Sequence, residues 1–393
     1  MMGWNRVAVI GGGITEFGEL FDQELEQLAA DAYIQALNSV DKGIDPNAIQ
    51  AGYFGTVMGT LQGNEIPSGA VLANAIGLVG KPVTRIENGC PTGSEAVRQG
   101  CLAVASGVFD LVAVVGAEKL RELPTKDSLL ESGRLGHPTL MYARTAATLF
   151  APAATRHMYE YGTTREHMAA VVVKNRENGS LNPKAQRQSQ VTVEEVLDSP
   201  LVCTPFNVLD CCPQTDGAAA VILCNAEIAE RYSDNPVMVA GFGAATENLF
   251  IHEKVDQTGF AATQEAARVA YAMAGISPKE LDLAEVHDCF SATEIINYED
   301  LGFCEKGAGG RMVENGETKR SGRLPVSASG GLLAKGHPVG ATGVSQIVEI
   351  CNQLLGRAEA QQVEIRNGYG LQHNIGGYSC AVSNVTILSG SPN

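Results

Sequence analysis

Leu25, Leu28, Ala29, Ala32, Ala36 and Val40 keep the spacing of a helix with one apolar face. The run Val7-Ala8-Val9-Ile10 precedes it and reads as a buried strand. Gly43 then stops the helix, Ile44-Asp45-Pro46 turns the chain, and Ala48 to Tyr53 reads as a second strand. The same order returns much later. An Ala-rich helix from Ala267 to Ala274 meets Gly275-Ile276-Ser277-Pro278, and a strand follows from Leu281 to Val286. The chain therefore reads as two similar α/β halves.

The second parts of the halves share a plan too. Cys90-Pro91-Thr92-Gly93-Ser94 opens a helix with Val97, Cys101 and Val104 on one face, followed by a strand from Asp110 to Val115. Gly336-His337-Pro338-Val339-Gly340 opens a helix with Val344, Ile347, Val348, Cys351 and Leu355, and a strand from Cys380 to Leu388 comes later. Cys90 and His337 thus occupy corresponding places, each just before a helix. Packing two such halves together would bring those helix N-termini toward one centre.

Residues 121–199 break the repeat. They hold Pro124, a loop from Gly133 to Pro138, helical stretches near 142–160 and 163–176, and a polar loop at 177–189. The strand Gly217 to Leu223 then returns to the first half. These boundaries define an N-terminal half at 1–120 plus 200–232, an inserted loop domain at 121–199, and a C-terminal half at 233–393. Between 151 and 190, Arg156, Arg165, Lys174, Arg176, Lys184 and Arg187 face only Glu160, Glu166 and Glu177, a local excess of three positive charges. Such a surface is either an ordinary solvated face or a platform for phosphates.

Composition narrows the functional classes. The net charge of −16 repels polyanions, which argues against nucleic acid or an anionic membrane as a partner of the whole surface. An anionic small ligand stays compatible where its pocket is locally basic. With 44 Gly and only 6% aromatics, the chain suits Ala/Gly-packed α/β layers better than an aromatic-cored sandwich. The N-terminal stretch lacks the basic and apolar regions of a signal peptide, and no apolar run approaches bilayer length. The ten cysteines form no CxxC, so reduced thiols, a cytoplasmic setting and no structural zinc site are expected.

Four loops could carry chemistry. Cys90 at a helix N-terminus gains thiolate character from unpaired N–H groups and the helix dipole, although a small buried thiol is the plainer alternative. His337 lies in a stretch from Ser329 to Gly343 with five glycines, which allows tight turns and close backbone approach. A second Gly136-His137-Pro138 lacks that surround and reads as an ordinary loop. His287-Asp288-Cys289-Phe290 follows a short strand, a common place for reactive side chains in α/β folds. Helix capping by Asp288 is the competing reading. Gly368 to Gly377 reads as a fourth loop before the last strand. Gly11-Gly12-Gly13, placed after the first strand, lacks the G-x-G-x-x-G spacing of a dinucleotide site.

Together these loops resemble the thiolase superfamily, in its sterol-carrier-protein-2-type and archaeal acetoacetyl-CoA thiolase branch. The resemblance runs over nearly the whole chain and rests on Cys90-Pro91-Thr92-Gly93-Ser94, Asp216-Gly217-Ala218-Ala219-Ala220, His287-Asp288-Cys289-Phe290 and Gly336 to Gly343. It implies a duplicated α/β fold of five layers, α/β/α/β/α, with an inserted loop domain that binds CoA. It also implies that Cys90 attacks the ketone of a 3-oxoacyl-CoA while His337 accepts its proton. Many thiolases carry an acid/base cysteine in a C-terminal Cys-x-Gly. Here Asn374-Ile375-Gly376 stands at that place, and Cys289 takes the role. His287 and His337 would donate to the enolate oxygen, and the N–H groups of Cys90 and Gly376 to the tetrahedral oxyanion. Asn374 and Gly340 would support these loops, with Arg176, Lys184, Arg187 and Ser329 as candidate CoA contacts.

The resemblance implies CoA as substrate, no tightly bound cofactor, no metal and a homodimeric core. It also points to a small zinc-ribbon/OB-fold acyl-CoA-binding partner. A related retro-aldolase would not need Cys90, and a non-catalytic CoA-binding subunit should have lost one of the reactive side chains; none is missing.

Overall fold

The computed structural model describes residues 6–59, 68–122, 145–377 and 380–390. The loop from Gly133 to Pro138, with Gly136-His137-Pro138, and Pro124 lie outside the described residues, as does the start of the helical stretch expected near 142–160.

The first half runs β1 (Val7–Ile14), α1 (Leu25–Asn38), β2 (Ala51–Gly55), α2 (Gly69–Ala75), β3 (Val83–Ile86), α3 (Thr92–Ala105) and β4 (Leu111–Glu118). Next come α4 (Ala147–Tyr161), α5 (Arg165–Gly179) and α6 (Val193–Asp198), then a small ribbon of β5 (Leu201–Cys203) and β6 (Phe206–Asn207). Strand β7 (Gly217–Asn225) returns to the first half's sheet between β4 and β1. The second half runs β8 (Val237–Thr246), α7 (Ala261–Ala274), β9 (Leu283–Glu285), α8 (Ser291–Asp300), α9 (Gly309–Glu314), α10 (Gly331–Ala334), α11 (Val339–Leu354), β10 (Tyr369–Gly376) and β11 (Val382–Ser389).

The strands join edge to edge in the order β3-β2-β4-β7-β1-β8-β11-β10-β9. The halves meet where β1 pairs with β8, through Ala8 with Met238 and Val9 with Val237. So short a joint lets the two sheet halves fold back over a shared helical layer. Helices α3 and α11 pack on each other and on strands of both halves. Helix α1 covers the outer face of the first half, and α7 covers that of the second. This is the expected five-layered arrangement, with the two sheets continuous at one edge.

Burial follows the layers. Leu28, Ala32 and Ala36 of α1 pack on Ile222 and Val115 of the first sheet. Val97, Cys101, Val344, Ile347 and Val348 fill the central layer. Each fully buried aliphatic side chain of this kind contributes roughly 1.5–3 kcal/mol. Gly11, Gly12 and Gly13 lie inside β1 rather than after it. A Cβ at Gly13 would stand 2.3 Å from the Ala32 carbonyl oxygen and one at Gly11 2.4 Å from that of Ala36, so these two let α1 seat closely on the strand. Gly12 faces Val348 of α11 on the other side.

A second correction concerns Tyr369–Gly376. It is a full strand, paired along its length with β11, and not a loop. Its Gln372, His373 and Asn374 are all buried. Polar residues turned toward a site, instead of apolar ones turned toward a core, hid the strand pattern. Among the described residues no helix is long and apolar enough to cross a membrane.

Candidate active site

The start of α3 carries Cys90 and the start of α11 carries His337. Their convergence depends on small residues: a Cβ at Gly93 would lie 2.7 Å from the Gly340 carbonyl oxygen and 3.0 Å from the Gly343 nitrogen. Only without side chains there do the two helix N-termini touch. The third contributor, His287, follows β9, which lies beside β10 in the sheet. Cys90 Sγ and one ring nitrogen each of His287 and His337 lie within 4.8 Å of one another. The two imidazoles meet edge to face, with centroids 5.1 Å apart.

Hydrogen bonds give the two histidines different jobs. Thr342 Oγ1 donates to the Pro338 carbonyl (3.0 Å), so it accepts from His337 Nδ1–H (2.7 Å). That leaves His337 Nε2 with a free lone pair, as a base requires. On the other side, Gln346 Nε2 donates to the Val286 carbonyl, which turns Gln346 Oε1 toward the Asn374 amide (2.7 Å). Asn374 Nδ2 then faces His287 Nδ1 at 3.4 Å. That amide directs its hydrogens at Gln346 Oε1 and the His373 carbonyl (2.8 Å), and a donor group facing Nδ1 leaves the His287 proton on Nε2, where it can donate to an oxyanion. Both Nε2 atoms are buried without a hydrogen-bond partner. Such orphaned atoms are costly unless a ligand completes them.

Burial keeps both rings neutral. It lowers the His337 pKa to about 3 and that of His287 well below the usual value, with His337 and His373 adding to the effect on His287. Burial likewise pushes the Cys90 thiol up to about 11, against the opposing pull of N–H groups from Gly377 and Cys90 itself. The helix N-terminus therefore does not make a resting thiolate, as its position alone suggested. The resting pair is a thiol beside a neutral imidazole.

Cys289 is buried, and its backbone carbonyl accepts from Cys212 N–H (3.0 Å). Burial raises its thiol well above the ordinary range, and the neighbouring Cys212 and Cys90 add to that rise. A high pKa suits a group that holds a proton until a carbanion needs it. Asp288, between the two reactive residues, does not cap the helix that follows it. Its carboxylate accepts from Leu332 and Leu333 N–H at the start of α10 and from Asn175 Nδ2 of α5. Lys174 of α5 pairs with Glu294 at 2.7 Å. Helix α5 thus braces the loop that carries His287 and Cys289.

Two comparisons fix the family. The model of the thiolase N-terminal domain matches residues 7–227, and that of the thiolase C-terminal domain-like family matches residues 243–390. The chain belongs to the thiolase family. It is 44% identical to the acetyl-CoA acetyltransferase of Methanothermobacter thermautotrophicus, over 94% of this chain and 96% of that one. It is 34% identical to sterol carrier protein 2 of Bos taurus, over 95% of this chain and 70% of that one. Among solved structures it is similar to the Ltp2-ChsH2(DUF35) aldolase, with a TM-score of 0.84, 24% identity and 98% of each chain covered. As a thiolase, the protein is an acyltransferase working on CoA thioesters.

Gly376 of this thiolase packs directly on Cys90. A Cβ there would stand 2.5 Å from Cys90 Cβ and 2.9 Å from both Cys90 N and Sγ. The N–H that bonds the resting sulfur, however, is that of Gly377, one residue further on. Gly340 N–H donates to Glu118 Oε2 at 2.9 Å, and the same carboxylate accepts from Thr56 Oγ1, Val57 N and Met58 N. Glu118 thereby ties the ends of β2 and β4 to the His337 loop.

The candidate CoA contacts are placed differently. Arg176 bonds Ser189, Lys184 bonds the Ile14 carbonyl and Gln35, and the Ser329 hydroxyl donates to buried Glu285. All three point into the protein. Arg187 is half-buried, donates to the Cys211 carbonyl and lies near Cys212. Sequence reasoning missed Glu118, Thr342, Gln346 and Ser94. Thr342 and Gln346 sit one turn apart on α11, which is a legible signal. Ser94 donates to Asn374 Oδ1 at 2.8 Å and accepts from Gln372, a link between the halves that only the fold creates.

Proposed function

We propose that this thiolase interconverts acetyl-CoA and acetoacetyl-CoA, with Cys90 as nucleophile, His337 as its base and Cys289 as the second acid/base. The observation that carries this reading is the meeting of Cys90 Sγ with the two histidines within 4.8 Å, each histidine keeping an unpartnered Nε2. In cleavage, Cys90 attacks the ketone carbon as its proton passes to His337 Nε2. The tetrahedral oxygen is held by N–H groups of Cys90 and of the turn at Gly376. The carbon–carbon bond breaks, His287 and protonated His337 stabilise the enolate oxygen, and Cys289 protonates the carbon. CoA then enters as thiolate, its proton going to Cys289, and takes the acyl group from Cys90, whose thiolate leaves and recovers its proton from His337.

The acetoacetyl reading is supported by the identity to the archaeal acetyl-CoA acetyltransferase. The inserted domain at 121–199 would carry CoA. A groove of about 720 Å³ across α4, lined by Thr155, Arg156, Cys203 and Gln257, adjoins a small cavity that reaches Cys380. We assign this route to the CoA arm. The ten free cysteines support a reducing, cytoplasmic setting. A homodimeric core and a small zinc-ribbon/OB-fold partner complete the proposal. The partner is supported by the fold shared with the Ltp2-ChsH2(DUF35) aldolase, whose name joins two components.

The test is CoA-dependent cleavage across 3-oxoacyl-CoA thioesters of increasing size. Acetoacetyl-CoA should show the highest kcat/KM; a larger or aromatic thioester favoured more than tenfold would reject the substrate. Gly376→Ala offers a second test. Its methyl group displaces Cys90 from the oxyanion donors, so kcat should fall about 100- to 1,000-fold while the fold survives by circular dichroism. Unchanged kcat would remove Gly376 from the site.

A further inference from the structure

Cys90, His287 and His337 present more than a proton-transfer pair. One thiol sulfur and two imidazole nitrogens face one another inside 4.8 Å, and both imidazole Nε2 atoms lack any partner. His287 is fully buried and His337 is 7% exposed. One thiolate and two imidazoles suit a borderline or soft divalent cation. We infer that the catalytic pocket is also an inhibitory site for Zn²⁺, held by Cys90 Sγ, His287 Nε2 and His337 Nε2 with a fourth position open to water. The inference uses the same three side chains as the catalytic reading but does not depend on which acyl group is the substrate.

The geometry allows it with small movements. Zinc bonds of about 2.3 Å to sulfur and about 2.0–2.1 Å to nitrogen, at tetrahedral angles, place ligand atoms about 3.3–3.6 Å apart. With the ligand atoms within 4.8 Å of one another, the three groups need to close by at most about 1.2–1.5 Å. His337 is already set for ligation, because Thr342 holds its proton on Nδ1 and leaves Nε2 as a lone pair. His287 must move its proton to Nδ1 and give up the long contact with Asn374, which makes it the weakest ligand. Binding converts the Cys90 thiol and Zn²⁺ to a zinc thiolate and releases one proton to solvent.

The bound cation would remove the nucleophile and its base together. An acylated Cys90 has no thiolate to give, so a turning-over or pre-acetylated enzyme should resist the metal. The site would thus sense free zinc mainly when acyl-CoA is scarce.

Cobalt tests this without relying on activity. Metal-free enzyme titrated with Co²⁺ should develop a thiolate-to-cobalt charge-transfer band and intense visible bands of tetrahedral geometry. Zn²⁺ should abolish both while inhibiting turnover, and EDTA should restore turnover. Enzyme alkylated at Cys90 by iodoacetamide, and the variant Cys90→Ala, should lose the charge-transfer band. Thr342→Val should weaken Co²⁺ binding about 10- to 100-fold. Cys289→Ala should keep the band. A band that survives alkylation of Cys90, or that vanishes with Cys289→Ala, would overturn the assignment. So would zinc inhibition undiminished by prior acetylation. Acyl labelling of metal-free enzyme separates failure here from failure of the thiolase mechanism.

Discussion

Cys90→Ala is expected to lower kcat for acetoacetyl-CoA cleavage by about 10,000-fold or more. Removing a nucleophile eliminates the covalent path and leaves only binding and oxyanion stabilisation, whose residual benefit is small. The effect should appear in kcat with little change in thermal stability. The substitution removes a single sulfur atom, so it opens no large internal cavity. Steady-state kinetics with acetoacetyl-CoA and CoA measure it. A kcat within tenfold of wild type would exclude an acyl-Cys90 intermediate and favour a lyase of the same fold.

Cys289→Ala should produce the second largest loss, about 100- to 10,000-fold, the range for a positioned acid or base. Its signature differs from that of Cys90. In the proposed mechanism Cys289 moves the proton at the carbon of the acetyl-CoA enolate, so exchange of solvent deuterium into the acetyl methyl group should fall in parallel with kcat. The resting thiol is well prepared for this: burial and its thiol neighbours keep it protonated throughout the physiological range. Wild-type exchange in Cys289→Ala would transfer the role to another group, with Cys212, bonded to the Cys289 carbonyl, the first to examine.

Much of the fold was legible because its signals are local. The helical spacing around Leu25–Val40, the Gly and Pro punctuation at Gly43–Pro46 and Gly275–Pro278, and the runs Val7–Ile10 and Gly217–Leu223 each lie within a few residues of one another. The catalytic loops were legible for the same reason. Gly93, Gly340 and Gly343 flank Cys90 and His337 because two helix starts must touch, and that demand leaves a written trace.

What escaped depends on contacts between distant segments. Strand β10 read as a loop because its inward residues serve the site and are polar. The excess positive charge at 151–190 was countable, but the inward direction of Arg176 and Lys184 was not. Nor could the sequence say that Gln346 and Asn374 set one histidine as donor while Thr342 sets the other as base. The bond from Thr342 is local to the start of α11, whereas those joining Asn374 to His287 and Gln346 link segments of the second half that are distant in sequence. The expectation of a thiolate at Cys90 failed for a related reason. A helix dipole can be inferred from a motif, whereas the desolvation that outweighs it arises only when the chain folds around the thiol.

Peptide mass spectrometry after brief incubation with acetyl-CoA asks most directly whether these side chains act on one carbonyl. A single acetyl group should be found on the peptide bearing Cys90, and CoA should discharge it at the rate of turnover. Active enzyme that carries the acetyl group on any other cysteine, or on none, would contradict the mechanism.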